Sequence, residues 1–374
     1  MDVRCTVLLL MIAFATLRPA AAEDYYREEL RIPMAEAGPR GLEALLIRPA
    51  GTQQYPLALI THGTSSDAEK RKEWTPYVFY RQAIEFARRG FAALVVMRRG
   101  FGDSGGGYAE RGGCCTPATY LRTAKTGVED MHAAIAAMQR RADVTTQGMI
   151  TIGVSSGGFA AVALTSDPPP GLAAAINFAG GLHRAALPPG VRNVDDEDAL
   201  VSAFKELGSN SRIPTLWIYS ENDKFFAPDL AHRLLAAFTT SGGRARLVDA
   251  PAFGSDGHLL FLYGLPIWTR MVDEFLRQEN LGRRALLAAP DLPALPPPQL
   301  GETGRAVFAD YLASGRHKAF AVSPTGGFGY FAGARSPSNA QKEAFATCAR
   351  HALDCALYAI DDELAGTRNA DRQR

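Results

Sequence analysis

One serine between two glycines is the residue of this sequence whose type and spacing point most directly to chemistry. The segment Gly153-Val154-Ser155-Ser156-Gly157 has the spacing Gly-x-Ser-x-Gly. An apolar run before it predicts a strand, and an Ala- and Gly-rich run after it predicts a helix. A serine between the two lies on a sharp turn that small flanking residues permit. The pattern predicts a nucleophile elbow at Ser155; a chance Gly/Ser loop is the alternative.

A serine hydroxyl is a weak nucleophile, so it needs a base and a group that orients the base. His258 is the predicted base, because it follows the last predicted strand at the sheet edge where Ser155 lies. The alternative is a loop histidine that caps the following helix. Asp223, in the turn after an earlier strand, is predicted to orient His258. Glu221 and Asp256 are the rival carboxylates.

The negative charge that forms during attack on a carbonyl needs hydrogen-bond donors. We predict the backbone amides of Ser156 and Thr64 for this oxyanion hole. Ser156 begins the predicted helix, where the helix dipole also favours an anion. Thr64 follows a predicted buried strand, and Gly63 lets its loop approach closely. His62, at the end of that strand, is expected to brace the loop rather than act as a base.

Alternating strand-like and helix-like segments must position these residues. The pattern extends from residue 30 to about 278 and predicts a mostly parallel sheet with helices on both faces, the α/β class. Predicted strands lie at residues 42–47, 57–61, 91–97, 149–153, 172–178, 214–219 and 244–248. Residues 180–212 form an insertion with one predicted helix, interpreted as a small cap at the pocket edge or a solvated surface excursion.

A second, smaller unit follows a stiff spacer. Residues 290–298 contain five prolines, which is typical of an extended linker. Beyond it the sequence predicts a strand, a Gly/aromatic hairpin, a helix at 338–348 with Ser338 and Gln341 as a capping box, and a last strand. We therefore predict a main domain at residues 23–280, a linker at 281–300 and a small C-terminal α+β module at 301–374.

Composition and the amino terminus indicate an exported protein without a polyanionic partner. The 374 residues are 47% hydrophobic and carry 40 basic and 39 acidic side chains, so no nucleic acid partner is expected. Arg4, the apolar run 7–17 and the alanines ending at Ala22 are typical of a signal peptide at residues 1–22. The run is too short to span a bilayer. We expect a secreted or periplasmic protein with no stable membrane insertion.

Four cysteines remain if Cys5 leaves with the signal peptide, and they allow three disulfide connectivities. Cys348 with Cys355 is the preferred pair, because one ends a predicted helix and the other begins the following strand. Cys114 and Cys115 could bridge each other, stay reduced or pair elsewhere. No histidine lies at ligand spacing from either pair, so no metal site is expected.

The segment Gly100-Phe101-Gly102-Asp103-Ser104-Gly105 has the spacing of a dinucleotide fingerprint. That fingerprint requires a helix to begin at once, whereas further glycines prolong this loop. We therefore expect no nicotinamide or other cofactor. Asp103 and Ser104 are expected to brace the loop.

Taken together, these motifs resemble the α/β-hydrolases of the dienelactone hydrolase and prolyl oligopeptidase-like branch. The resemblance is carried by His62-Gly63-Thr64, Arg99 to Ser104, Ser155, Asp223 and His258, in that order along the chain. It implies an α/β-hydrolase fold and a serine hydrolase acting on an ester or an amide. Dienelactone hydrolases have a cysteine in place of Ser155, so their substrate is not carried over. We expect no propeller ahead of Leu42, unlike prolyl oligopeptidases.

The predicted function is an exported serine hydrolase of carboxylesterase type that works through an acyl-enzyme. Ser155 attacks, His258 transfers the proton and Asp223 orients His258. The substrate is expected to be a small-molecule ester or a short peptide. A serine peptidase or amidase, and a catalytically silent binding protein, are the alternatives. The C-terminal module either contacts cell-wall polymer or packs against the main domain.

Overall fold

A computed structural model describes residues 25–65, 67–110, 116–182, 194–281, 287 and 295–365. The predicted signal peptide at 1–22, Cys114, Cys115 and most of the predicted linker at 281–300 lie outside the described residues. Across the described ranges, no helix combines the length and the hydropathy that a membrane-spanning segment needs.

Eight strands form the main sheet, in the order β1-β2-β4-β3-β5-β6-β7-β8. They are β1 Tyr25–Ile32, β2 Leu42–Pro49, β3 Tyr55–Thr61, β4 Ala92–Val96, β5 Val144–Val154, β6 Leu172–Phe178, β7 Thr215–Ser220 and β8 Ala245–Ala250. The pairs β1/β2 and β2/β4 are antiparallel, and the other five pairs are parallel. The predicted mostly parallel sheet is confirmed. Strand β1 was not predicted, because most of its residues are polar or partly exposed, as is typical of an edge strand.

Helices cover both faces of this sheet. In the described ranges, the α-helices are α1 Ala68–Glu73, α2 Tyr80–Arg88, α3 Pro117–Gln139, α4 Ser156–Leu164, α5 Val194–Asn210, α6 Pro228–Thr240, α7 Leu260–Tyr263, α8 Leu265–Gln278, α9 Glu302–Ala313 and α10 Pro337–Cys348. Neighbouring strand residues point to opposite faces. Thus Ile60 packs in one core with Phe86 of α2 and Trp268 of α8, whereas Leu59 packs in the other with Met131 of α3.

Helix α5 corrects the interpretation of the 180–212 insertion. Its apolar side chains Leu200 and Phe204 are buried in one cluster with Phe159 of α4 and Trp217 of β7. The phenyl rings of Phe159 and Phe204 lie 5.1 Å apart. Because this face is packed on the sheet domain, α5 belongs to its helical layer and is not a solvated excursion. Residues 183–193 of the insertion lie outside the described ranges.

The C-terminal module has its own antiparallel sheet, in the order β10-β9-β11-β12, which confirms the predicted α+β unit. Its strands are β9 Ala319–Val322, β10 Phe328–Phe331, β11 Ala356–Ile360 and β12 Glu363–Leu364. The predicted pair Cys348 and Cys355 forms a disulfide. The predicted cap Ser338 is wrong: Ser336 caps α10 by accepting a hydrogen bond from Asn339 N at 3.1 Å, since Pro337 already occupies the first turn.

The module is attached to the main domain by polar contacts. Thr75 Oγ1 donates a buried hydrogen bond of 2.8 Å to Gly333 O. Arg81 donates to Leu312 O at 2.9 Å and pairs with Asp362 at 2.8 Å. These contacts join Thr75, which precedes α2, and Arg81, which lies in α2, to the module. The domain boundaries themselves stay a prediction, because they fall on or beside residues outside the described ranges.

Candidate active site

The predicted site residues follow strands that end at one edge of the sheet. Ser155 directly follows β5, Asp223 lies in the turn after β7, and His258 follows β8. Strands β5, β6, β7 and β8 are parallel neighbours, and their carboxyl ends therefore meet at the same edge, where ligands of open α/β sheets bind.

Ser155 has a strained backbone, with φ 56° and ψ −125°. A non-glycine residue at positive φ costs on the order of 1–3 kcal/mol and persists only where its surroundings enforce it. Here Ser155 N donates to Phe178 O at 3.0 Å, while Ser155 O accepts from Phe159 N at 3.0 Å and Gly181 N at 3.1 Å. The turn between β5 and α4 is thus held from three sides, in the geometry of a nucleophile elbow.

The glycines around the elbow are required by space. A Cβ atom on Gly153 would lie 2.1 Å from Gly157 O, and one on Gly157 would lie 2.3 Å from His62 O. A Cβ atom on Gly63 would lie 3.1 Å from Ser155 Cβ. The loop after β3 therefore passes directly against the serine.

The strand order and the strained serine after the fifth strand together decide the architecture. The chain has the α/β-hydrolase fold. The predicted fold class is thereby confirmed, with the smaller α+β module as an addition to the hydrolase-fold domain.

One family model matches part of the chain. The model of the X-Pro dipeptidyl-peptidases, the S15 family, matches residues 39–195. The matched segment contains Ser155 but spans less than half of the chain and ends before Asp223 and His258. No curated protein matches the chain.

Solved structures with a similar fold include esterases and a peptidase. Esterase 2 of Thermogutta terrifontis is 18% identical, with 69% of this chain and 96% of that chain covered and a TM-score of 0.47. An esterase of Pyrococcus furiosus is 15% identical, with 68% and 90% covered and a TM-score of 0.46. Pyrococcus horikoshii acylaminoacyl peptidase is 13% identical, with 71% and 43% covered and a TM-score of 0.48. Identities and TM-scores this low carry no information on function, so the function must be argued from the site itself.

Asp223 and His258 lie in direct contact. His258 Nδ1 and Asp223 Oδ2 are 3.0 Å apart, with the carboxylate side chain fully buried. An ionised carboxylate only accepts, so Nδ1 carries the hydrogen and Nε2 is left as an acceptor. The rival carboxylates lie elsewhere: Asp256 accepts from the amides of His258 and Lys224, at 3.0 and 3.2 Å, and Glu221 is exposed.

The contact between the predicted nucleophile, Ser155, and the predicted base, His258, is not formed. Within the described part of the chain, no hydrogen bond joins Ser155 Oγ to the imidazole of His258. Phe226 contacts the surroundings of both residues. Its ring centroid lies 5.7 Å from that of His258. The same ring packs against Gly181, whose amide donates to Ser155 O. Nucleophile–base contacts of this kind are often long without substrate and tighten when it binds.

His62 braces the loop after β3, as expected. It is fully buried, and its Nε2 accepts a hydrogen bond of 2.9 Å from Arg98 N. Its Nδ1 therefore carries the hydrogen and donates to Gly63 O at 2.7 Å. Burial, and then the nearby charge of Arg98, hold the pKa of His62 well below its ordinary value of 6.5. A neutral ring with both nitrogens engaged is not available as a base.

The glycine-rich segment after β4 is a loop with packing roles. A Cβ atom on Gly100 would lie 2.4 Å from Tyr108 N, and one on Gly105 would lie 1.8 Å from Ala37 O. Ser104 Oγ donates to Met97 O at 2.6 Å and accepts from Glu43 N at 2.9 Å, so it braces the loop as expected.

Asp103 connects this loop to the C-terminal module. Its carboxylate pairs with Arg335 at 2.5 Å, and its carbonyl oxygen accepts from Arg31 at 2.9 Å. Asp103 therefore also braces the loop as expected. Among the described residues, no group of three or more His, Cys, Asp or Glu side chains is arranged to hold a metal ion.

Two side chains of the site were missed from the sequence. Phe225 packs against His258 with ring centroids 4.5 Å apart and ring planes tilted by 39°, yet it remains 52% exposed. Arg98 is almost fully buried and donates to His62 O and Gly63 O in the loop after β3. The available signal for Arg98 was its position directly after a buried apolar strand, where a charged side chain must find acceptors.

Proposed function

We propose that this protein is a serine hydrolase that cleaves a carboxylic ester through an acyl-enzyme. The single observation that carries the proposal is the buried Asp223 paired with His258 at the sheet edge that also holds the strained Ser155. A buried carboxylate orients the imidazole and stabilises its protonated form, while the elbow presents the hydroxyl above the sheet. Neither arrangement is needed for a stable fold, and the elbow carries a conformational cost.

The reaction follows from these roles. Ser155 Oγ forms a bond to the acyl carbon while His258 Nε2 takes the hydroxyl proton. The carbonyl electron pair moves to oxygen, where the amides of Ser156 and Thr64 donate hydrogen bonds. The bond to the alcohol then breaks, and His258 returns the proton to the departing oxygen. Water, deprotonated by His258, attacks the acyl-enzyme and releases the acid and Ser155.

A serine peptidase is the second candidate. It is favoured by the match of the X-Pro dipeptidyl-peptidase model to residues 39–195. The same proton relay serves an amide, provided that His258 protonates the departing nitrogen before the bond breaks. A silent hydrolase-fold binder is the third candidate, for which the elbow would be structure alone.

Labelling with a fluorophosphonate, combined with turnover of paired substrates, separates these candidates. Wild type should react covalently at Ser155 and hydrolyse p-nitrophenyl butyrate, whereas Ser155→Ala should lose both, with kcat lower by about 10⁶-fold. Ser166→Ala is the matched control, since Ser166 Oγ donates only to Ala163 O, at 2.7 Å, at the far end of α4. Aminoacyl p-nitroanilides turned over faster than esters would favour the peptidase. A folded wild-type protein that does not react with the fluorophosphonate would leave only the third candidate, a binding protein without catalytic activity.

Export is part of the proposal. The sequence of residues 1–22 supports a signal peptide cleaved after Ala22. Expression in a host with a secretory pathway, followed by amino-terminal sequencing, should give a mature chain that begins at Glu23. An intact Met1 in correctly folded exported protein would contradict it. For the C-terminal module, the buried bond from Thr75 to Gly333 O supports packing on the hydrolase-fold domain over contact with wall polymer.

A further inference from the structure

The guanidinium of Arg98 connects the two segments that carry the proposed oxyanion donors. Only 1% of this side chain is exposed. It donates to Thr61 Oγ1 at 2.5 Å, His62 O at 2.5 Å, Gly63 O at 3.1 Å, Ser156 Oγ at 3.0 Å and the carboxylate of Glu110. The ion pair with Glu110 compensates the buried charge, without which burial would be very costly.

Two hydrogen bonds to Gly63 O, from Arg98 Nη2 at 3.1 Å and His62 Nδ1 at 2.7 Å, orient the Thr64 amide. The Gly63 carbonyl and the Thr64 N–H belong to one trans peptide unit and therefore point to opposite sides of it. Arg98 holds the carbonyl side together with His62, whose Nε2 in turn accepts from Arg98 N. A Cβ atom on Gly63 would lie 3.6 Å from Ser155 Oγ, so this peptide unit lies beside the nucleophile. A cation on the carbonyl oxygen also polarises the peptide and strengthens its N–H as a donor.

The bond to Ser156 Oγ fixes the second donor. Ser156 is the first residue of α4, and its amide is the other proposed oxyanion donor. The Nη2 atom of Arg98 contacts both Ser156 Oγ and Gly63 O. One nitrogen thus joins the loop after β3 to the start of α4, beyond the last β3/β5 pairing at Thr61 and Gly153.

We propose that Arg98 is a positioning residue for the oxyanion hole, which holds the Gly63–Thr64 peptide and Ser156 in the relative position that the transition state requires. This inference rests on the proposed function. It predicts that Arg98 contributes to stabilisation of the tetrahedral intermediate and little to binding of the ground-state ester, because the donors match the oxyanion rather than the carbonyl.

The test uses full-length Arg98→Lys and the double variant Arg98→Met/Glu110→Gln, which leaves no unpaired buried charge. A lysine ammonium lacks the planar fork and cannot serve the same acceptors together. We expect kcat to fall at least tenfold in Arg98→Lys and about 10²–10³-fold in the double variant. KM should stay within about threefold in both. The affinity for a trifluoromethyl ketone should fall in parallel with kcat, because Ser155 adds to its carbonyl and leaves an oxyanion.

Arg89→Met/Glu85→Gln is the matched control, since it removes another buried Arg–Glu pair, 2.6 Å apart, on the opposite face of the sheet. It should lose stability but keep kcat and the affinity for the ketone. Normal kcat and ketone affinity in Arg98→Lys would overturn the inference, as would a control that loses both as strongly. A wild type without esterase or amidase turnover would overturn the proposed function as well, whereas an active wild type with unaffected Arg98 variants would overturn the inference alone.

Discussion

The carboxylate of Asp223 holds the imidazole of His258 with one oxygen and its own loop with the other. Oδ2 lies 3.0 Å from His258 Nδ1, while Oδ1 accepts from the amides of Phe225 and Phe226, at 2.8 and 2.9 Å. Because both oxygens are engaged, the carboxylate cannot rotate away from the ring without breaking backbone hydrogen bonds. The imidazole is therefore kept in the tautomer that leaves Nε2 free to accept a proton.

Asp223→Asn should reduce kcat for an ester by about 10⁴-fold, with the fold retained. The amide can still accept from the two backbone N–H groups, but it can present an N–H to Nδ1 and so favour the wrong tautomer. Steady-state kinetics and circular dichroism measure the two effects. Glu221→Gln, at an exposed carboxylate after the same strand, is the control and should keep wild-type kcat. Wild-type kcat in Asp223→Asn together with a large loss of kcat in Glu221→Gln would show that Glu221, and not Asp223, orients His258.

Phe225 is expected to set preference for the leaving group. In the proposed mechanism His258 gives its proton to the departing oxygen, so the ring that packs against His258 and is open to solvent would lie beside that group. Phe225→Ala should lower kcat/KM for benzyl esters about tenfold more than for ethyl esters of the same acid. The ratio of kcat/KM for the benzyl ester to kcat/KM for the ethyl ester is unaffected by any change in His258 that slows both reactions equally. Phe345→Ala, which removes an exposed ring from α10, should leave the ratio unchanged; an equal loss for both esters in Phe225→Ala would contradict the assignment.

Gly153→Ala should destabilise the protein by about 3 kcal/mol or more, because its Cβ atom would lie 2.1 Å from Gly157 O and 2.6 Å from Gly158 N, both of them backbone atoms. Gly107→Ala is the control, since a Cβ atom there meets nothing within 4 Å. Its free energy of unfolding should change by less than about 0.5 kcal/mol. Urea unfolding of both variants measures the difference. Equal stability would show that the elbow can relax.

His62 should make stability depend on pH. Its pKa is held well below 6.5 in the native state by burial and by the charge of Arg98. Below pH 6.5 the unfolded chain therefore binds a proton that the native state does not. The free energy of unfolding then decreases as the pH is lowered, by at most about 1.4 kcal/mol per pH unit. His62→Gln keeps an acceptor and a donor without this titration. The stability advantage of wild type over His62→Gln should thus shrink between pH 7.5 and 5.

Urea unfolding across that range tests the His62 prediction, and an advantage that stays constant would contradict it. The nearby Asp130, which faces Arg99, has its pKa raised to about 6, chiefly by burial. Its native state holds a proton more tightly than the unfolded chain, so its contribution to stability is lost as pH rises from about 4 to 6. Asp130 is present in both proteins, and the comparison cancels its opposite effect.

Local signals predicted most of the hydrolase-fold domain. Apolar runs buried on both faces gave the parallel strands, and the spacing of Gly153, Ser155 and Gly157 indicated the elbow. Strand β1 was missed because its residues are mostly polar, and the start of α10 was misplaced because Ser336 and Ser338 are equally good caps by type. Helix α5 was misread because the sequence of an amphipathic helix with an acidic first turn does not reveal which surface its apolar face packs on.

For this protein, the sequence by itself determined the elements and the residue types that could do chemistry, since strand period, glycine spacing and a hydroxyl at a turn are properties of neighbouring residues. Only the tertiary structure decided which partners meet. Asp223 rather than Asp256 contacts the imidazole, and Arg98 joins the loop of Gly63 to Ser156. The physical reason is that hydrogen bonding and burial depend on distances between segments far apart in the chain, which only the packing of strands and helices sets.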